Sequence, residues 1–191
     1  MTRASLTLSL ALALAAGGLS TTPRPALADG HLLAAADVVD RETLKEFVLG
    51  AKGLVDATGT DEELQAVLAD LGTERWREGA IYIFITSFDG TSFFHGANPA
   101  REGTNNYEQE DANGVRIVQE LVKAAQAGGG WVHYLFDNPA IEGPDESPKV
   151  SYAAPIEIQG NSYYIGAGLY LDPEQTNVAP ASWGALKERR P

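Results

Sequence analysis

A chain of 191 residues with a formal net charge of −12 is long enough for one packed domain. Its acidity argues against nucleic acid and anionic membrane surfaces as partners, because both are bound through exposed positive charge. The absence of cysteine excludes disulfide staples, thiolate nucleophiles, thiolate metal sites and cysteine-linked lipid anchors, so stability has to come from a packed core.

The first predicted element is a leader. Arg3 is followed by small and apolar residues from 6 to 19, and Ala26-Leu27-Ala28 stands just before Asp29. This is the pattern of a secretory signal peptide cut after Ala28. The apolar run is shorter than the ~20 residues needed to span a bilayer, and Gly17, Gly18, Pro23 and Pro25 interrupt it. Because the leader carries Arg3 and Arg24 but no acid, the mature chain is more acidic still. No second long apolar segment follows, so the expectation is a periplasmic or secreted protein with no membrane insertion after cleavage. The division expected is signal peptide 1–28, one domain 29–172 and a C-terminal tail 173–191.

Leu44, Phe47, Val48, Ala51, Leu54 and Val55 recur at helical spacing, with Asp40 or Asp37 as N-cap and Gly59 as stop. A second, short surface helix opens on Thr60 and Glu63, spaced as a capping box, and meets Gly72. From residue 80 the pattern becomes Ile-Tyr-Ile-Phe-Ile, then Asp89-Gly90, then 91–95, which predicts two strands joined by a tight hairpin. Residues 96–113 lack periodicity and form a long irregular segment. A third helix spans about 115–127, with Val118, Leu121, Val122 and Ala125 on one face and Gly128-Gly129-Gly130 at its end. Strands follow over 131–136, 149–158 and 162–171, with Gly160-Asn161 as the turn between the last two. Short connections make them an antiparallel meander. The fold class expected is α+β: one antiparallel sheet of about five strands with helices on one face or end.

Catalytic signatures are lacking. There is no nucleophile elbow, zinc-protease helix or phosphate-binding loop, and His31, His95 and His133 are dispersed. Gln109, Asp111, Asn113, Gly114 and Glu120 fall on calcium-loop positions, but Gln replaces the first Asp. The reading favoured there is Asp111 or Asn113 as N-cap of the third helix. No cofactor, metal or enzymatic activity is expected.

Four runs carry a resemblance: residues 82–96 (YIFITSFDGTSFFHG), 98–114 (NPAREGTNNYEQEDANG), 128–139 (GGGWVHYLFDNP) and 149–171 (KVSYAAPIEIQGNSYYIGAGLYL). In this order and spacing they resemble the single Cache domain, an extracytoplasmic ligand-sensing module of bacterial chemoreceptors and histidine kinases, over about residues 41–172. The resemblance implies a long N-terminal helix leading into a PAS-like antiparallel sheet whose concave face, roofed by the irregular segment, holds a small organic ligand such as a short carboxylate. The chain departs from the family at His95-Gly96, where His-Pro is usual, and at Glu102, where an apolar residue is common. Typical members lie between two membrane helices, whereas this sequence reads as a free-standing exported version.

A small carboxylate leaving water needs a cation and a few directed donors. The resemblance puts Lys149, three residues before Tyr152, in the cationic role, against the alternative of a solvated lysine. Arg101 is the second cation, against a surface ion pair with Glu102 or Glu108. His95 comes near the pocket in the family, although a structural histidine is equally expected. Trp131 and Tyr134 should point to opposite faces of their strand, so only one lines the pocket; Tyr134 and Tyr152 offer hydroxyls and Trp131 fits core packing. Gly166 and Gly168, alternating with Ile165 and Ala167, leave room for a close neighbour. The function expected is capture of a small organic acid by a periplasmic sensor or scavenger, with a membrane receptor or histidine kinase as a further partner. The alternatives are a ligand-free interaction module regulating such a receptor and an enzyme with an unrecognised site.

Overall fold

The computed structural model describes residues 32–138 and 146–171. The leader with its cut after Ala28, and the tail from 173, lie outside the described residues.

Helix α1 (Arg41–Asp56) is capped by Asp40, which accepts the Thr43 N–H at 2.9 Å while Thr43 Oγ1 accepts the Asp40 N–H at 3.1 Å. Helix α2 (Asp61–Leu71) opens on the expected capping box: Thr60 Oγ1 accepts from Glu63 N–H and Glu63 Oε2 from Thr60 N–H, at 3.2 and 3.1 Å. The strands are β1 (Arg77–Glu78), β2 (Ile81–Tyr82), β3 (Phe84–Ser87), β4 (Ser92–His95), β5 (Gly130–Asp137), β6 (Glu146–Ile158) and β7 (Asn161–Tyr170); helix α3 is Ile117–Gln126. The main sheet has the order β4-β3-β7-β6-β5, antiparallel throughout. A small β1-β2 ladder stands apart from it.

The helices occupy both faces of the sheet, not one. On β6, Val150, Tyr152, Ala154, Ile156 and Ile158 are buried, and so are Lys149, Ser151 and Ala153 between them. A strand buried on both sides needs cover on both sides. Helices α1 and α2, with Trp76, cover the face carrying Ile85, Ile156 and Ile165, whereas α3 covers the face carrying Phe84, Val132, Tyr134 and Tyr164. The hairpins also differ in detail. The predicted strand from residue 80 is divided into β2 and β3, a bulge lies between Ile85 and Thr86, and the β6-β7 turn is centred on Gln159-Gly160 at φ 53° and 75° instead of Gly160-Asn161.

The segment after β4 forms a roof over the α3 face. A 3₁₀ turn at Pro99–Arg101 follows Asn98, whose side-chain oxygen accepts the Ala100 N–H. Asp111 does not cap α3, nor does Asn113; the residue before the helix is Arg116, with no side-chain cap. Instead the buried Asp111 accepts the N–H groups of Asn113 (2.9 Å) and Val115 (2.8 Å) on one oxygen and of Leu135 (2.7 Å) on the other. Those bonds staple the roof to β5 and occupy the carboxylate that a calcium loop would use. Asp111→Ala should therefore lower stability by about 3 kcal/mol or more, since hydrogen bonds to charged groups are worth roughly 1.5–3 kcal/mol each. Urea unfolding should show a reduced midpoint at unchanged m, with Asp111→Asn intermediate.

Candidate functional site

Side chains on a strand alternate between faces, and directly paired residues share one. Lys149 on β6 pairs with Tyr134 on β5 and Tyr170 on β7, so all three rise toward α3 and the roof. Lys149 is only 1% exposed. Its Nζ lies over three rings, 4.7 Å from the centroid of Tyr170, 5.0 Å from Tyr82 and 5.1 Å from Phe136. Such faces attract a cation but cannot replace its hydration. Burial first, and repulsion from Arg101 second, pull the Lys149 ammonium down to about 7. The β7 glycines make room for this arrangement: a Cβ at Gly168 would fall 2.7 Å from Lys149 Cε and 2.3 Å from Ser151 Oγ, and one at Gly166 would fall 2.7 Å from the Phe84 ring.

Beside the cage is a small, partly open cavity of about 70 Å³ between the sheet, the roof and α3. Arg101 enters it from the roof, its guanidinium 3.5 Å from Gln109 Oε1 and 5.7 Å from the Phe136 centroid. The ion pairs considered for it are absent among the described residues: Glu102 accepts the His95 N–H, and Glu108 pairs with Arg116. His95 lines the same cavity. Its Nδ1 accepts the Asn98 N–H at 3.0 Å, which leaves the ring proton on Nε2, and its ring lies 4.8 Å from that of Tyr82. Burial, then repulsion from Arg101, pushes its imidazole down to about 4, so it is neutral near pH 7. Tyr134, also on the lining, shares a 2.7 Å hydrogen bond with Ser151, and burial pushes its phenol up. No carboxylate is on the lining among the described residues.

The structure therefore brings Lys149, Arg101, His95 and Tyr134 together. It does not bring Trp131 and Tyr152 to them. These two pair across β5 and β6 on the α1 face, with ring centroids 5.0 Å apart, beneath Arg41 and Lys45 respectively. Tyr152 lies three positions beyond Lys149, an odd offset, so strand alternation puts it on the other side. Trp131 is in the packing role that its pattern allowed. The residues not singled out from sequence are Tyr82, Phe136 and Tyr170 around Lys149, Ser151 beneath Tyr134, and Ile117, Val118 and Leu121 of α3 on the cavity wall. A larger open cleft of about 670 Å³ near the ends of α1 and α3 contains Lys52, already paired with Asp56.

A cavity lined by one cation, Arg101, and a neutral imidazole, with a second cation, Lys149, buried beside it over the shared Phe136 ring and no lining carboxylate among the described residues, suits an anion. The family comparison agrees with a ligand-binding module, since a Cache domain model matches residues 55–189. The chain belongs to the Cache domain family. The sensor histidine kinase MctS of Rhizobium johnstonii (strain DSM 114642 / LMG 32736 / 3841) is 27% identical over 136 residues, a stretch covering 69% of this chain and 28% of that kinase. This chain thus spans little more than a quarter of that relative's length. The periplasmic sensor domain of a chemotaxis protein is 28% identical, with TM-score 0.58 over 69% of this chain and 94% of that one. A Cache chemosensory domain solved in a study of carboxylic acid recognition shares the fold at 23% identity and TM-score 0.57, over 69% and 92% of the two chains. Cache domains are extracytoplasmic, non-catalytic modules of receptors and kinases that bind small molecules. No helix among the described residues is long and apolar enough to cross a membrane.

Proposed function

We propose that this Cache domain works outside the cytoplasm as a sensor or scavenger of a small organic acid, held with its carboxylate between Lys149 and Arg101. The observation that carries the reading is Lys149, which is buried under three aromatic rings and has no ion pair among the described residues. A desolvated ammonium in that state is stabilised by an incoming anion. Neutral His95 and Tyr134 supply directed hydrogen bonds without adding charge. The export pattern of residues 1–28 and the carboxylic acids recognised by the structural relative support the same reading. A membrane receptor or histidine kinase is the partner to which occupancy would be passed.

Short monocarboxylates of two to four carbons should raise the melting temperature, because a ligand of the folded state alone stabilises it by mass action, about 2.7 kcal/mol at 100 times Kd. Differential scanning fluorimetry with the mature protein checks this. Silence across those acids, amino acids and amines would favour a ligand-free interaction module.

A further inference from the structure

We infer that α3 gauges the length of the bound acid, with Leu121 and Val118 as the stop against which the ligand's tail comes to rest; this rests on the carboxylate site proposed above. Ile117, Val118 and Leu121 all line the cavity and are 5%, 7% and 3% exposed. The helix start is tied to the roof beside Arg101: the Ile117 N–H donates to the Gln109 carbonyl, and the Gln109 side chain meets Arg101. From Ile117 to Leu121 the helix advances about 6 Å, at 1.5 Å per residue, so its apolar face leads from the cationic end into the domain. A carboxylate anchored at Arg101 and Lys149 thus runs its carbon chain along that face, in a space of only about 70 Å³.

The charges of α3 and its approach are committed elsewhere. Glu120 pairs with Lys123, Arg116 pairs with Glu108 and Glu110, and none of these five lines the cavity. The far wall offers Thr86, Ser92, Asn106 and Tyr164 but no cation among the described residues. A second carboxylate would therefore be buried without a counter-charge, a cost that hydroxyl and amide donors do not cancel. The gauge sets an upper limit on length and admits one charged end only.

Calorimetric titration of the mature protein with acetate, propionate, butyrate, valerate, malonate and succinate tests the inference. The wild type should gain about fourfold in affinity for each methylene that fits and then lose affinity abruptly, with malonate and succinate at least a hundredfold weaker than the best monocarboxylate. Leu121→Ala, which removes an isopropyl group from the stop, should move the optimum one or two carbons longer while leaving acetate within a few fold of wild type. Val118→Ala should move it in the same direction by less and provides the test if Leu121→Ala fails to fold. An unchanged optimum in a folded variant, or succinate binding as tightly as butyrate, overturns the gauge while leaving the carboxylate site standing. Failure of every acid to bind the wild type removes the site itself and the gauge with it.

Discussion

Replacing Lys149 with methionine should weaken binding of the preferred acid by about 2 to 5 kcal/mol, the range for truncating one member of a buried charge pair. That is roughly thirtyfold to several-thousandfold. Methionine keeps the length and bulk of the side chain, so the space between Tyr82, Phe136 and Tyr170 stays filled and folding is preserved. The unliganded variant should also be more stable than wild type near neutral pH. Burial lowers this lysine from 10.5 to about 7, so between those values the folded state binds fewer protons than the unfolded chain. Wild-type stability therefore rises with pH across that interval and is lower at and below pH 7, where the folded state has to hold the ammonium out of water. Methionine abolishes the penalty, which is on the order of a few kcal/mol at 1.36 kcal/mol per unit. Urea unfolding at pH 7 without ligand should show a higher midpoint for Lys149→Met, and calorimetry should show the lost affinity. A solvated lysine would change affinity by only about 0 to 1 kcal/mol; that outcome in a folded variant would transfer the cation role to Arg101.

The opposed effects of that one substitution show why the site was only half legible in the sequence. Local rules were enough for α1 and α2, whose caps at Asp40 and Thr60 are made by residues within four positions of each other. They were also enough for the β5-β6-β7 meander, whose strands are rich in β-branched and aromatic residues and whose connections are short. They failed where a long-range partner outweighed a local one. Asp111 has the spacing of a helix cap, but Leu135 N–H, 24 residues away, claims its second oxygen and fixes it to β5. Lys149 and Arg101 were recognisable as cations, yet the rings enclosing Lys149 come from β2, β5 and β7: the register of the main sheet brings in two of them, and the separate β1-β2 ladder brings in Tyr82. Tyr152 is the instructive miss. The alternation that separates Trp131 from Tyr134 also separates Tyr152 from Lys149, and it puts Ser151 on the Lys149 face instead. Helices on both faces were legible too, since the run from 150 to 158 has apolar residues at positions of both parities.

Affinity for the acid should be flat below pH 7 and fall by close to tenfold per pH unit above it. The free site holds Lys149 with its ammonium lowered to about 7, while a bound carboxylate favours the charged form and raises it again. Binding above pH 7 therefore takes up one proton, and that proton sets the slope. The neighbours do not supply it. His95 on β4 has been pushed down to about 4 and stays neutral over this range. Tyr82 on β2, Tyr134 on β5, and Tyr164 and Tyr170 on β7 are all pushed upward by burial, away from neutrality. Short carboxylic acids are already ionised, and no carboxylate among the described residues lines the cavity. Titrations from pH 6 to 9, repeated in buffers of different ionisation enthalpy, should give an uptake rising from near zero to one proton per ligand in the wild type. Lys149→Met should give weak binding with no pH dependence, because the residual attraction comes from Arg101 alone. A wild-type affinity that stays level up to pH 9 would mean that Lys149 is not the charge that meets the carboxylate, whatever its burial.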